Sequence, residues 1–329
     1  MNDGRVPVIL DVDTGIDDAL ALLYVAADPA AELVAVTCGA GNATLPDVVR
    51  NTRWMLALAG RGAVEVAPGC GTPSVRPLEV TPETHGPHGL GYAEATDAPD
   101  GARHVSPRFG PDVVVDAARR RPGEVTLITL GPLTNLAVAL ELEPGLPRLL
   151  RRWVMMGGAY RVPGNTTAVS EWNVHCDPEA ASACFQAWTA AIGEDPAVPR
   201  MTAMGLDVTE RAVIRQRELE LLAARTSRHP ELASTITDAL RFYFEFHQRY
   251  DGFYGAHVHD PFVTACVLDP GLVIRSDPAL VQVDTSGGAD DGRTIADWAT
   301  ETPNADVVVD ADATTFVRRL IDRVGAAAG

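Results

Sequence analysis

The chain has 329 residues, 46% hydrophobic and 22% charged, an ordinary globular composition with ample material for a core. A net charge of −17 leaves no basic face for a phosphate backbone, so nucleic acid is not an expected partner. No apolar run approaches the ~20 residues of a membrane span, and Met-Asn-Asp-Gly-Arg at the start lacks a signal-type apolar stretch, so no membrane association and a cytoplasmic location are expected.

Residues 7–12 read as a buried strand, followed by a Gly turn and a helix over 17–27 that stops at Asp28-Pro29. This first passage carries four carboxylates within eight positions, Asp11, Asp13, Asp17 and Asp18. Unpaired, they would repel one another or take up protons. Hard oxygen ligands converging at a strand end suit Mg2+ or Ca2+. Asp17 and Asp18 alone could serve a helix N-terminus through its dipole, but that leaves Asp11 and Asp13 without a role.

A second strand, Glu32–Cys38, ends in Gly39-Ala40-Gly41-Asn42, then a helix spans 45–58 and a short strand 64–66. Two strand–helix–strand passages predict a parallel, doubly wound sheet. Residues 68–109 are rich in Pro, Gly and His, with little periodicity, and read as a long active-site loop. Within them His85 to Tyr92 resembles a mobile flap. Regularity returns with a helix at 110–120, a strand at 125–130 and Gly131-Pro132-Leu133-Thr134-Asn135 turning into a helix.

Trp153–Met156 is a buried strand, and 158–176 is irregular and polar, carrying Asn165, Glu171, Trp172 and Asn173. Asp177-Pro178-Glu179 begins a helix with Asp as N-cap and Pro in the first turn. Residues 193–199 read as a surface insertion, 201–206 as a strand, and 210–224 and 229–250 as helices. The aromatics of the second helix, Phe242 to Tyr250, read as core packing. Residues 251–257 form a loop, and His259-Asp260-Pro261 opens a helix ending near Leu268. Strand-like runs at 281–283 and 307–309 precede a final helix over 312–324. With no linker or repeat, 1–329 reads as one α/β domain.

Five scattered cysteines without a CxxC pair indicate buried thiols rather than zinc or disulfides. All 27 basic residues are Arg, which excludes a Schiff-base or P-loop lysine. The remaining polar residues of interest follow strands, where open parallel sheets bind ligands. Metal ligands beside Asn and Glu groups suit the hydroxyls of a sugar.

Asp-x-Asp-x-Thr after a strand resembles the haloacid-dehalogenase phosphatases, with Asp11 as nucleophile and Asp13 as acid/base. The lack of Lys and the Asp pair only four residues after Asp13 disfavour that reading. The chain more fully resembles the inosine-uridine-preferring nucleoside hydrolases. Their Asp-x-Asp-x-Gly-x-Asp-Asp-Ala signature stands at Asp11 to Ala19, with Thr14 where Pro is often seen. The series continues through Gly41-Asn42, Gly131 to Asn135, Met156-Gly157-Gly158, Glu171-Trp172-Asn173, Asp177 to Ala181, Gly205 to Thr209 and His259-Asp260-Pro261.

The resemblance implies a Rossmann-like open, mostly parallel sheet, helices on both faces, and an active site at the C-terminal strand ends. It implies hydrolysis of the N-glycosidic bond of ribonucleosides by a Ca2+-bound water. By carry-over, Asp13, Asp18, Asp260 and the Leu130 carbonyl bind Ca2+, and Asp13 is also the general base. Asp17, Asn42 and Asn173 hold the ribose 2′/3′-hydroxyls, Asn165 and Glu171 the 5′-hydroxyl, and Asp11 braces the cluster from behind. His259 is the expected leaving-group acid, with His85 and Trp172 lining the base pocket and Tyr250 and Tyr254 as candidates to close it. The resemblance also implies a homodimer or homotetramer. A ribose-binding protein without catalysis, or another metal-dependent glycosidase on this fold, are the alternatives.

Overall fold

The computed structural model describes residues 4–96 and 105–327; the part of the expected loop at 97–104 lies outside the described residues. Strand β1 (Val6–Val12) runs into helix α1 (Ile16–Ala27), then β2 (Ala31–Cys38), α2 (Leu45–Leu58) and β3 (Glu65–Pro68). A one-turn helix α3 (Pro82–His85) precedes α4 (Gly110–Arg120), β4 (Thr126–Thr129), α5 (Thr134–Leu142), α6 (Leu146–Leu149) and β5 (Arg152–Met156). Next come α7 (Trp172–Cys176), α8 (Pro178–Glu194), β6 (Met201–Met204) and a helical turn α9 (Leu206–Thr209). The last third holds β7 (Val213–Arg215), α10 (Gln216–Thr226), α11 (Pro230–Tyr250), β8 (Gly255–His257) and α12 (His259–Leu268). It ends with β9 (Val273–Val283), β10 (Thr294–Asp297), β11 (Ala305–Ala311) and α13 (Ala313–Ala327).

Nine strands form one sheet in the order β10-β9-β11-β6-β5-β4-β1-β2-β3. From β11 to β3 neighbouring strands are parallel, and only β9 runs against β11 and β10. The chain leaves β1 toward β2 and β3, then returns to place β4 on β1's other side. That reversal opens a crevice at the carboxyl ends of β1 and β4, the place where such sheets bind ligands.

Alternation along β1 divides its side chains between the two faces of the sheet. Val8, Leu10 and Val12 join the core beneath α1, α11, α12 and α13, while Ile9 joins the core on the α4, α5 and α8 side. Helix α1 is buried from Ile16 to Ala26, so it lies between the sheet and other helices rather than at the surface. Phe316 of α13 closes that face, stacking on Phe262 at 4.7 Å and meeting Tyr24 at 6.3 Å.

Three regions depart from the sequence-based expectation. The helix expected from residue 210 starts at Gln216, because Val213–Arg215 pairs antiparallel with Gly255–His257, inside the expected loop. Three-residue strands carry too little alternation to be read from sequence. Strand β9 is eleven residues long and runs through Pro278, which sits beyond the reach of β10 at an open edge where proline is tolerated. The segment His85 to Tyr92 is packed rather than a free flap: His85 and Leu90 are buried, and the Gly91 N–H donates to the His85 carbonyl at 2.7 Å. The five cysteines are free, as expected.

Removing the ring of Phe316 leaves a cavity under α1 and α12. Phe316→Ala should lose about 3–5 kcal/mol of stability, read as a lowered urea midpoint at unchanged slope. A loss below ~1 kcal/mol would contradict this packing.

Candidate active site

Asp13 follows β1 and is fully buried. One carboxylate oxygen, Oδ2, accepts the Asn42 backbone N–H at 2.7 Å, while Oδ1 has no partner. Glycines press against it from two sides. A Cβ on Gly41 would stand 2.2 Å from Oδ2, and one on Gly131 2.8 Å from Oδ1. Only glycine lets the turns after β2 and β4 approach this closely.

Asp17 and Asp18 occupy the first turn of α1. Asp18 Oδ2 accepts the Gly15 N–H at 2.9 Å and Asn42 Nδ2 at 3.2 Å. The helix-terminus role uses one oxygen of Asp18 and leaves Oδ1 unpartnered. The backbone N–H groups of His259 and Asp260 favour the charged form of Asp17, which sets the start of α1 against the start of α12. Oxygens of Asp17, Asp18 and Asp260 lie within 4.8 Å of one another. Asp13 is not in that closest triad, but its charge is felt there with those of Asp17 and Asp18.

Burial and mutual repulsion together push these groups toward protonation. Asp13 and Asp260 are raised well above the ordinary carboxylate value, mainly by burial and then by neighbouring Asp charges; Asp17 and Asp18 shift the same way, with burial again the first cause. Asp18 and Asp260 are close enough to share a proton through a side-chain hydrogen bond. Asp11 lies on the Ile9 face and points away from the triad. Its Oδ1 accepts Thr37 Oγ1 at 2.6 Å and Asn135 Nδ2 at 2.7 Å, and burial still lifts it to about 6. Asn135 also receives the Cys70 N–H at 2.7 Å, so it ties the loop after β3 to Asp11.

A cleft of about 530 Å³ opens above the triad. Its lining includes Asp17, Asn42, His85, Leu130, Asn165, Glu171, Trp172, Asn173, His259 and Asp260, while Asp13 and Asp18 lie beneath its floor. The Leu130 carbonyl accepts Asn173 Nδ2 at 2.7 Å and retains a second lone pair. Glu171 is the N-cap of α7: its carboxylate accepts N–H groups from Asn173 and Gly158, both at 2.9 Å, and from Val174 at 3.3 Å. Asn165 is exposed at the rim, with Oδ1 accepting the Trp172 N–H at 3.0 Å.

Four imidazoles, His85, His247, His257 and His259, line the same cleft, and hydrogen bonds fix the tautomers of His85, His247 and His259. His85 Nδ1 accepts the Ile16 N–H at 3.1 Å, which leaves Nε2 as its donor; burial lowers its pKa to about 3. Thr209 Oγ1 donates its proton to the Gly205 carbonyl, so His259 Nδ1, 2.9 Å from that oxygen, must be the donor to it. His259 Nε2 is then an acceptor, and burial depresses its pKa well below the usual value. Its resting state therefore accepts a hydrogen bond, and acting as an acid requires a proton first.

His247 and His257 were not singled out from the sequence. Neither were Tyr243 and Phe246, read as core packing but lining the cleft with Tyr250. The signal was present: 243, 246, 247 and 250 share one face of α11. Tyr254 instead packs edge-on against Phe244 at 5.3 Å.

A buried carboxylate cluster in which Asp13 Oδ1 and Asp18 Oδ1 lack partners, beside a compartment of imidazoles and aromatic rings, has the character of a cation-dependent enzyme site. Comparisons with known proteins agree. Residues 8–318 match the family described as inosine-uridine preferring nucleoside hydrolase. The pyrimidine-specific ribonucleoside hydrolase RihA of Enterobacter sp. (strain 638) is 37% identical, with 97% of each chain covered. RihA of Citrobacter koseri is 35% identical over 97% of this chain and 98% of its own. Among solved structures, a purine-preferring ribonucleoside hydrolase from Gardnerella vaginalis superposes with a TM-score of 0.88 at 29% identity, covering 98% of this chain and 99% of its own. The plant nucleoside hydrolase PpNRh1 superposes with a TM-score of 0.85 at 28% identity, covering 97% and 99%. The chain belongs to the inosine-uridine preferring nucleoside hydrolases, a family of metal-dependent enzymes.

The raised carboxylates set a sign for the pH dependence of stability. A carboxylate whose folded value exceeds its unfolded value stabilises the fold below the unfolded value, and the contribution is lost as pH rises through the folded one. Asp11, raised from 3.8 to about 6, and the triad all act in this direction. The cleft imidazoles, whose pKa values burial lowers, act in the opposite direction and cost stability as pH falls. The carboxylate contribution is therefore read as the Tm difference between protein in excess divalent cation and protein in chelator, which should widen from pH 5 to pH 8. A difference that narrows over that range would contradict this electrostatic description.

Proposed function

We propose that the protein cleaves the N-ribosidic bond of ribonucleosides, pyrimidine ribonucleosides foremost, with Ca2+ held by Asp13, Asp18, Asp260 and the Leu130 carbonyl. The observation that carries this reading is the set of buried, unpartnered oxygens Asp13 Oδ1, Asp18 Oδ1 and Asn42 Oδ1 around a carboxylate triad. An all-oxygen donor set of this charge suits a hard divalent cation, and one rich in carboxylates and carbonyls suits Ca2+. When bound, the ion supplies the positive charge that makes the crowded carboxylates tolerable and eases proton loss from a nearby water.

The chain's own residues supply the rest. Asp13 takes the proton from the attacking water through its free Oδ1. Its other oxygen is held by Asn42 N–H, so the acceptor is oriented before substrate arrives. Asp17, Asn42 and Asn173 hold the ribose 2′/3′-hydroxyls, and Asn165 and Glu171 the 5′-hydroxyl at the other end of the cleft. Fixing the sugar at both ends aligns C1′ with the water, a gain in orientation rather than in charge. Positive character developing on the sugar as the C–N bond breaks is favoured by the surrounding carboxylates. His259 contacts the departing base at Nε2. A proton acquired there would make it a strong acid because its pKa is depressed.

The pyrimidine preference rests on the RihA relatives. A homodimer or homotetramer, which the family resemblance implies, and a cytoplasmic location are part of the same proposal. No helix among the described residues is long and apolar enough to cross a membrane.

Purified protein should hydrolyse uridine and cytidine faster than inosine and adenosine. Exhaustive chelation should abolish turnover, and Ca2+ should restore it. Asp13→Ala should lower kcat/KM by ~10⁴-fold or more. 2′-Deoxyuridine should react at least ~10²-fold more slowly, because the groups built for the 2′-hydroxyl are left unpaired. Turnover that survives metal removal would refute the cation's role, and no turnover of any riboside would refute the hydrolase reading.

A further inference from the structure

The carboxylate end of the cleft accounts for the sugar, which leaves the α11 side for the base. His247 stands on that side with only 5% of its surface exposed. Its ring is fixed by neighbours: Tyr243 at 4.7 Å, Phe253 stacked at 5.4 Å and His257 edge-on at 5.0 Å. Its Nδ1 is hydrogen-bonded to a carboxylate oxygen of Asp251, one helical turn later. A carboxylate only accepts, so Nδ1 carries the proton. Burial, the largest influence on this ring, keeps it neutral by lowering its pKa. Nε2 therefore bears a lone pair, and it has no partner although it is buried. At His257 the Glu210 backbone favours a proton on the ring, and Nδ1 is again buried without a partner.

A buried acceptor left unpaired is costly, so two such atoms side by side in a ligand cleft call for a donor from the ligand. The ribose offers its hydroxyls to the other end. The base offers N–H groups on the edge away from the sugar.

We propose that His247, held in one tautomer by Asp251, reads the base by accepting a hydrogen bond from its distal N–H, the ring N3–H of uracil or the 4-amino group of cytosine. His257 Nδ1 offers a second acceptor beside it. This assignment rests on the ribonucleoside reading above and adds to it the side chains that select the base. Asp251 is a positioning residue: it touches no substrate and acts through His247.

The test compares uridine with 3-methyluridine, which lacks the N3 proton, on the Ca2+-loaded enzyme. Wild type should favour uridine in kcat/KM by on the order of 100-fold. His247→Phe keeps the bulk and removes the acceptor. Uridine should then fall toward the level of its methylated analogue, leaving a ratio below about 5. His247→Gln, which offers an amide oxygen, should recover part of the ratio. Asp251→Asn, which releases the tautomer, should lower the ratio without removing the ring. A ratio unchanged in His247→Phe would mean that the methyl group is excluded by shape alone, and would overturn the assignment. So would a wild-type ratio near 1. If wild type cleaves neither nucleoside, the pyrimidine-nucleoside reading fails by itself. The same ratios, measured as Kd by calorimetry, then decide the role of His247.

Discussion

The site answers to one electrostatic constraint: five carboxylates are buried around the end of β1, and among the described residues no Arg side chain lines the cleft above them. Asp11 is the only one of the five whose two side-chain donors are both neutral groups brought from other elements, Thr37 and Asn135. It is thereby satisfied within the protein. Asp13 and Asp18 are satisfied in part by backbone N–H groups, each with one oxygen left unpartnered, and Asp17 and Asp260 add their charges beside them. A protein can tolerate that only by protonation or by an ion. The arrangement that looks unstable as a list of charges is what suits the site to a metal ion.

The sheet explains why such a cluster can be assembled. β1 and β4 flank the point where the strand order reverses, and α1, which follows β1, starts at the crevice between them. Helix α12 brings Asp260 from the far end of the sequence to meet it. Two helix N-termini then face each other across the carboxylates, and their exposed N–H groups and dipoles favour negative charge. Around this fixed point the loops are tied down rather than free. Asp177 shows how: fully buried, it accepts the Ser74 N–H and Oγ, Thr134 Oγ1 and the Ala180 N–H, which binds the loop after β3 to α8.

The sheet, its direction and its carboxylates were legible in the sequence because they rest on strong local patterns: apolar runs, glycine turns and closely spaced Asp. The separate role of Asp11 comes from the family resemblance, since alternation gives Asp11 and Asp13 the same parity, and only the structure shows Asp11 engaged by Thr37 and Asn135. The imidazole wall was less legible. His247 and Tyr243 sit in an aromatic stripe on α11, and the same helical spacing serves a core or a pocket until the facing surface is known. The β7–β8 pair was invisible for a different reason, because three-residue strands are defined by their partner and not by their own alternation. Glu171 shows a third limit. Its sequence neighbours identify it as a site residue, but only geometry reveals that its carboxylate is engaged by three backbone N–H groups.

His85 ties two of these regions together in a single ring. One face of the imidazole borders the base side of the cleft against Tyr243, at 5.3 Å, while Nδ1 holds the Ile16 N–H at the turn that carries Asp17 and Asp18. A Cβ on Gly15 would stand 2.7 Å from that same nitrogen, so the turn and the ring fit only as a pair. The consequence is an uneven freedom to evolve. The α11 wall contributes no carboxylate to the cluster and can exchange side chains to suit a different base. The His85 wall cannot drift without moving the residues beneath the sugar. New base preferences on this scaffold should therefore arise from one side of the cleft.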